Sequence, residues 1–177
     1  MGLGGLKLTN TKTAMTEAHP VILFVKGEQD YEGQDPDGTE LMTEGTLCQT
    51  RDGYLLSYEE STLTGMEGTV TTFEIKGDQI WLTRTGKVNS QIIFEEGRRH
   101  TSLYETPMGE MTIDVLTRRL RHHMTERGGL MEIYYSISLE HTVTGKSSFK
   151  IRVREKKRRA EFTRAPDRIM EKGDCQS

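Results

Sequence analysis

The chain has 177 residues, 33% of them hydrophobic and 29% charged, with a net charge of −3 at neutral pH. That length suits one domain with a core large enough to fold unaided. Residues 152–177 hold nine basic against five acidic residues and residues 1–18 carry one excess positive charge, which leaves the body from 19 to 151 at −8. An acidic body argues against a generally nucleic-acid-binding domain and leaves the basic end as the segment suited to an anionic partner.

The two cysteines, Cys48 and Cys175, do not form a disulfide framework and fit a reducing compartment. The first long apolar run, Val21-Ile-Leu-Phe-Val25, is shorter than a secretion-signal core or a membrane span. The expectation is a cytoplasmic protein with no membrane partner.

In chain order, residues 1–18 are rich in Gly, Thr and Lys and read as a mobile lead-in. A β-rich run over 19–26 opens the folded part. The Gly/Asp-rich stretch 27–38 reads as a loop. Strands are then expected over 39–50, 53–60, 69–76, 79–85, 90–96, 99–106, 109–120, 129–141 and 147–154. Turn signals separate them: Asp52-Gly53, Gly77-Asp78, Gly86-Lys87, Glu96-Gly97, Pro107-Met-Gly109, Gly128-Gly129 and Gly145. The run 118–127 reads as a short helix or as a long strand end.

Even strand spacing without crossover helices predicts an all-β fold, a barrel or a sandwich, and the expectation is a single antiparallel barrel of about eight to ten strands over 19–155. Closing the sheet removes open edges. Residues 156–177 form a basic tail. Met42, Met111 and Met131 are candidates to plug the interior.

The order and spacing of the central segments carry a resemblance. They run Tyr54-Leu-Leu-Ser-Tyr-Glu-Glu60, Thr71-Thr-Phe-Glu-Ile-Lys76, Trp81-Leu-Thr-Arg-Thr-Gly86, Ile93-Phe-Glu-Glu-Gly97, Tyr104-Glu-Thr-Pro-Met-Gly109 and Ile133-Tyr-Tyr-Ser-Ile-Ser-Leu139. Over residues 19–155 the chain resembles the YwiB-like family of small bacterial proteins. The resemblance implies a calycin-like, lipocalin-like up-and-down barrel and supplies no catalytic residues. A lipocalin-type Gly-x-Trp near the first strand is absent, since the single Trp is Trp81.

Arg84 is the most informative residue. It shares strand parity with Ile80 and Leu82, so it faces the way they do. An inward guanidinium needs a partner. Either Glu60, Glu74 or Glu105 supplies a structural ion pair, or Arg84 anchors an anionic ligand group bidentately. Tyr54 and Tyr58 share one face, and Tyr104, Thr72, Thr106 and Thr117 are candidates for a polar lining. Ordinary core tyrosine is the competing reading.

Other constellations point to no chemistry. Glu59 and Glu60 are adjacent in a strand and face opposite ways, as do His122 and His123. No Cys/His/Asp/Glu cluster has metal-ligand spacing. Gly2-Leu-Gly-Gly5 lacks the strand and helix of a dinucleotide fingerprint, and neither a P-loop nor Gly-x-Ser-x-Gly occurs. No enzyme, cofactor or metal is expected.

The leading expectation is a barrel that binds a small anionic or amphipathic ligand in its lumen or mouth, with Arg84, Tyr58, Thr72 and Tyr104 as the site. The alternative is an interaction module whose basic run, Arg152-Val-Arg-Glu-Lys-Lys-Arg-Arg159, contacts a protein or nucleic acid.

Overall fold

The computed structural model describes residues 17–31, 35, 37–139 and 142–156. Most of the expected lead-in and basic tail, including 157–177, lies outside these residues. Ten strands follow one another: β1 (His19–Tyr31), β2 (Asp37–Thr50), β3 (Gly53–Glu59), β4 (Thr69–Lys76), β5 (Gln79–Gly86), β6 (Asn89–Glu95), β7 (Arg99–Thr106), β8 (Gly109–Thr125), β9 (Gly128–Leu139) and β10 (Thr142–Glu155). Each pairs antiparallel with its sequence neighbours, and β1 pairs with β10 to close the barrel. A short 3-10 helix, Thr62–Thr64, lies in the β3–β4 connection. Among the described residues no helix is long and apolar enough to cross a membrane.

Two local expectations need correction, and one open reading is decided. Of the stretch read as a loop over 27–38, Gly27–Tyr31 continues β1 and Asp37 and Gly38 open β2, because β10 pairs with Gly27–Tyr31 and β2 with Gly27–Gln29, while 32–34 and 36 lie outside the described residues. Of the two readings of the 118–127 run, the long strand end holds: β8 continues to Thr125, and 126–127 form the turn. Gly128 closes the β8–β9 turn as expected, whereas Gly129 and Gly145 sit inside strands. At Gly129 an added Cβ would stand 2.0 Å from the His123 carbonyl oxygen, so the neighbouring backbone explains the glycine.

Strand alternation sorts the side chains into wall and interior. One end of the interior is packed solid by Leu47, Leu56, Phe73, Leu82, Phe94 and Ile133, all at most 1% exposed. Burying a side chain of this size stabilises the fold by about 1.5–3 kcal/mol. Met131 joins this core, while Met42 points out of the wall and Met111 stands at the opposite, open end. The interior is therefore filled at one end and open at the other.

The ladder between β6 and β7 is reduced to Asn89–Glu105 and Ser90–Tyr104. The connection between these strands bonds to β8 instead: the Gly97 N–H donates to the Thr117 carbonyl at 2.9 Å and the Thr117 N–H to the Arg98 carbonyl at 3.1 Å. A register shift in β8 between Thr117 and Arg119 accompanies this contact.

Candidate functional site

One cross-strand row builds the polar girdle at the open end. Ladder pairing runs Gly45–Tyr58–Thr71–Arg84–Ser90–Tyr104–Met111 across β2 to β8. The row beneath it contains Leu47, Leu56, Phe73, Leu82 and Ile92, all apolar. Polar groups thus meet the packed core one strand pleat below.

Gly45 makes room for this arrangement. A Cβ there would lie 2.4 Å from the Ser57 carbonyl oxygen and 2.7 Å from a Leu23 methyl.

Arg84 faces inward, 9% exposed, as its parity predicts. Its Nε has no hydrogen-bond partner, and none of the described carboxylates forms an ion pair with it. The candidate partners are engaged elsewhere or lie apart. Glu74 faces outward and pairs with Lys76 at 2.7 Å. Glu60 is buried and accepts hydrogen bonds from the Thr71 hydroxyl at 2.5 Å and the Thr64 hydroxyl at 2.9 Å. Glu60 therefore ties the β3–β4 connection to the barrel wall.

Tyr58 is buried beside both charges. Burial first, and then the Glu60 carboxylate, push its phenol well above the ordinary range, while Arg84 acts in the opposite sense. Tyr135 reaches the same interior from β9. Burial pushes it up to about 12, again against the pull of Arg84. Its ring packs on Phe94 at 5.1 Å and stacks with Phe149 at 6.0 Å. Both phenols are held neutral beside a guanidinium.

Above the girdle opens a cavity of about 730 Å³. Arg84, Tyr104, Tyr135, Ile113, Ile137 and Phe149 are among its lining, and the segment Thr62–Met66 borders it. The Tyr104 hydroxyl reaches the Met66 sulfur at 4.0 Å, joining the two sides of the mouth. Arg84 is the one basic residue in the lining among the described residues, and Asp37 supplies an acid.

Of the expected site residues, the structure brings Arg84, Tyr58 and Tyr104 together and excludes Thr72. Thr72 lies on the outer face, where its hydroxyl meets that of Ser57 at 3.0 Å. The girdle threonine is Thr71, fully buried. The parity of Phe73 and Ile75 in the same strand points to it. Thr106 stays at the β7–β8 turn, bonded to the Gly109 carbonyl. Tyr54 faces inward but lies four residues toward the packed end from Tyr58. Tyr135 is not among the expected site residues. Barrel closure, invisible within one strand, brings it opposite Arg84.

The fold and site define a closed ten-stranded β-barrel with a solid base and a mouth built around an unpaired arginine. The family model described as a domain of unknown function (DUF1934) matches residues 23–151, and the chain belongs to that family. It is similar to the solved YwiB protein from Bacillus subtilis, with a TM-score of 0.73 and 20% identity over 81% of this chain and 96% of that one. At that identity the likeness shows the fold, and with the family match it bears out the YwiB-like resemblance. A comparison with curated proteins finds no match.

Proposed function

We propose that this protein is a cytoplasmic, non-enzymatic barrel that binds a small, singly anionic amphipathic molecule in its mouth. The observation behind the reading is Arg84, a buried guanidinium aimed into the cavity with no protein acceptor for its Nε. Leaving such a group unpaired is costly, and a bound carboxylate would satisfy it bidentately. Arg84 is the one cation and Asp37 the one acid in a mixed lining of the described residues, and one guanidinium matches one negative charge at its position. A phosphate dianion would call for more donors. Ile113, Ile137 and Phe149 offer an apolar wall for the rest of the ligand. The placement in the cytoplasm rests on the sparse cysteines.

The test compares 11-(dansylamino)undecanoate with its methyl ester, followed by dansyl fluorescence. The acid should bind at least about ten-fold tighter than the ester, the worth of one charge-assisted hydrogen bond. Arg84→Met should abolish that preference. Equal binding of acid and ester to the native protein would sink the reading. Native mass spectrometry of the purified protein adds an independent check, because a retained acidic ligand would add mass that denaturation removes.

A further inference from the structure

The outer wall of β8, β9, β10, β1 and β2 carries a second array. Outward residues of β8, β9, β10, β1 and β2 fall into cross-strand rows set by ladder pairing. One row reads His123–Leu130–Arg152–Phe24–Met42, the next Arg121–Glu132–Lys150–Lys26–Glu40, and the third Arg119–Tyr134–Ser148–Glu28. Arg154 follows on β10 beside Ile22. Glu132 is taken up by Lys150 at 2.7 Å, and Lys26 by Glu28 and Glu40, each at 3.1 Å. Among the described residues, Arg119, Arg121, Arg152 and Arg154 are exposed and make no ion pair. Four guanidiniums without an ion-pair contact on one face of a chain with net charge −3 are a local concentration of positive charge.

Two aromatic rings stand among them. Phe24 is 39% and Tyr134 42% exposed. The Arg154 guanidinium lies 5.8 Å from the Phe24 ring centroid, so a flat apolar platform and a phosphate-binding cation sit side by side. Phe24 and Tyr134 are two rows apart along the strands and two strands apart across them, about 13 Å by 10 Å. Shallow depressions border both rings, one including Leu130 and Arg152, the other Arg118 and Ser148.

We propose that this face binds single-stranded nucleic acid, with the four arginines on phosphates and Phe24 and Tyr134 stacking on bases. Arginines interleaved with exposed aromatic rings are the chemistry that holds a single strand without reading its sequence. The wall of a barrel is convex. A stiff duplex touches such a surface only tangentially, whereas a flexible strand follows it. The array belongs to the barrel wall and not to the basic run as a whole, because only Arg152 and Arg154 are common to both.

The experiment is fluorescence anisotropy of labelled oligouridylate and oligothymidylate of about 12 nucleotides, a length within the usual site sizes. It uses the full chain between about 50 and 200 mM salt. Binding is expected with a steep salt dependence. Arg119→Gln, Arg121→Gln, Arg152→Gln and Arg154→Gln should each reduce the log–log slope by about 0.7. Phe24→Ala and Tyr134→Ala should each weaken binding about ten-fold and leave the slope unchanged. Arg84→Met should bind as the native protein does, which separates this site from the mouth. Absence of binding at low salt overturns the proposal. So do arginine variants with native affinity, which would put the contact elsewhere in the chain. Phosphatidylglycerol vesicles or polyglutamate bound as tightly and with the same variant pattern would show a general polyanion surface and equally overturn it.

Discussion

Replacing Arg84 by Met tests the energetic basis of the proposed mouth site. In the fold, Arg84 is 9% exposed and its Nε is unpartnered. Withdrawing an ion from water into a protein costs several kcal/mol even after relaxation. The opposing term is attraction to Glu60, which shares the neighbourhood of Tyr58. No ion-pair contact forms, so that attraction is weaker than for charges 4 Å apart, about 4 kcal/mol at an effective dielectric of 20. Methionine keeps most of the aliphatic stem and its packing. The balance lies between neutrality and a gain of about 3 kcal/mol for Arg84→Met, within the range seen when buried charges give way to apolar groups. Each kcal/mol moves Tm by about 2–4 °C in a chain of this size. Urea unfolding followed by Trp81 fluorescence and by circular dichroism gives the free energy. A loss of about 3 kcal/mol or more is the signature of breaking a buried ion pair and would refute the reasoning. A structural ion pair, and not a vacant anchor, would then describe Arg84.

Three further perturbations probe the site's supports. Thr71→Val removes one of the two hydroxyls that donate to Glu60 and should cost about 1.5–3 kcal/mol in chemical denaturation. Thr72→Val, on the outer face, should cost less than about 1 kcal/mol. Gly45→Val places carbon against the Ser57 carbonyl and Leu23 and should destabilise the fold by about 1–3 kcal/mol, read as a lower urea midpoint. Tyr135 gives a pH dependence. Its folded pKa is raised to about 12 from 10, so the neutral phenol is favoured in the fold. That contribution is complete below pH 10 and is lost as pH rises toward 12, at about 1.4 kcal/mol per pH unit. Urea midpoints between pH 8 and 12 should therefore fall more steeply for the native protein than for Tyr135→Phe, and parallel curves would contradict the assignment.

Much of this architecture is legible in the sequence because its signals are local. Hairpin punctuation at Asp52-Gly53 and Gly77-Asp78 sets strand boundaries, and alternation through Ile80, Leu82 and Arg84 decides which way the arginine points. The loop misreadings share one cause, which is that glycine has two uses. Gly27, Gly129 and Gly145 suggest loops, yet Gly129 and Gly145 serve close approach within the sheet, Gly145 against the Tyr31 ring. Thr71, and not Thr72, shares the inward parity of Phe73 and Ile75. The meeting of Tyr135 with Arg84 depends on barrel closure, and no single strand records which strand lies across the lumen. The weak β6–β7 ladder was equally hidden, since it depends on Thr117 bonding to the Gly97–Arg98 tip from another strand.

Strand alternation also explains how one chain carries two unrelated positive sites. In β10, Ile151 and Val153 enter the core, while Lys150, Arg152 and Arg154 project from the wall. Part of the run that reads as a continuous basic tail is thus divided residue by residue between core and surface. In β5 the same alternation sends Arg84 inward with Leu82, away from every outer-wall charge. A net charge of −8 over the body averages across both faces and the interior, so it constrains the mean field and not the local one. An anion drawn to the mouth meets one desolvated guanidinium, where salt screens weakly. An anion on the wall meets several hydrated ones, where salt screens strongly. Raising ionic strength should therefore release a polyanion from the wall while leaving a carboxylate in the mouth bound. That difference lets the two sites be assayed separately in one protein.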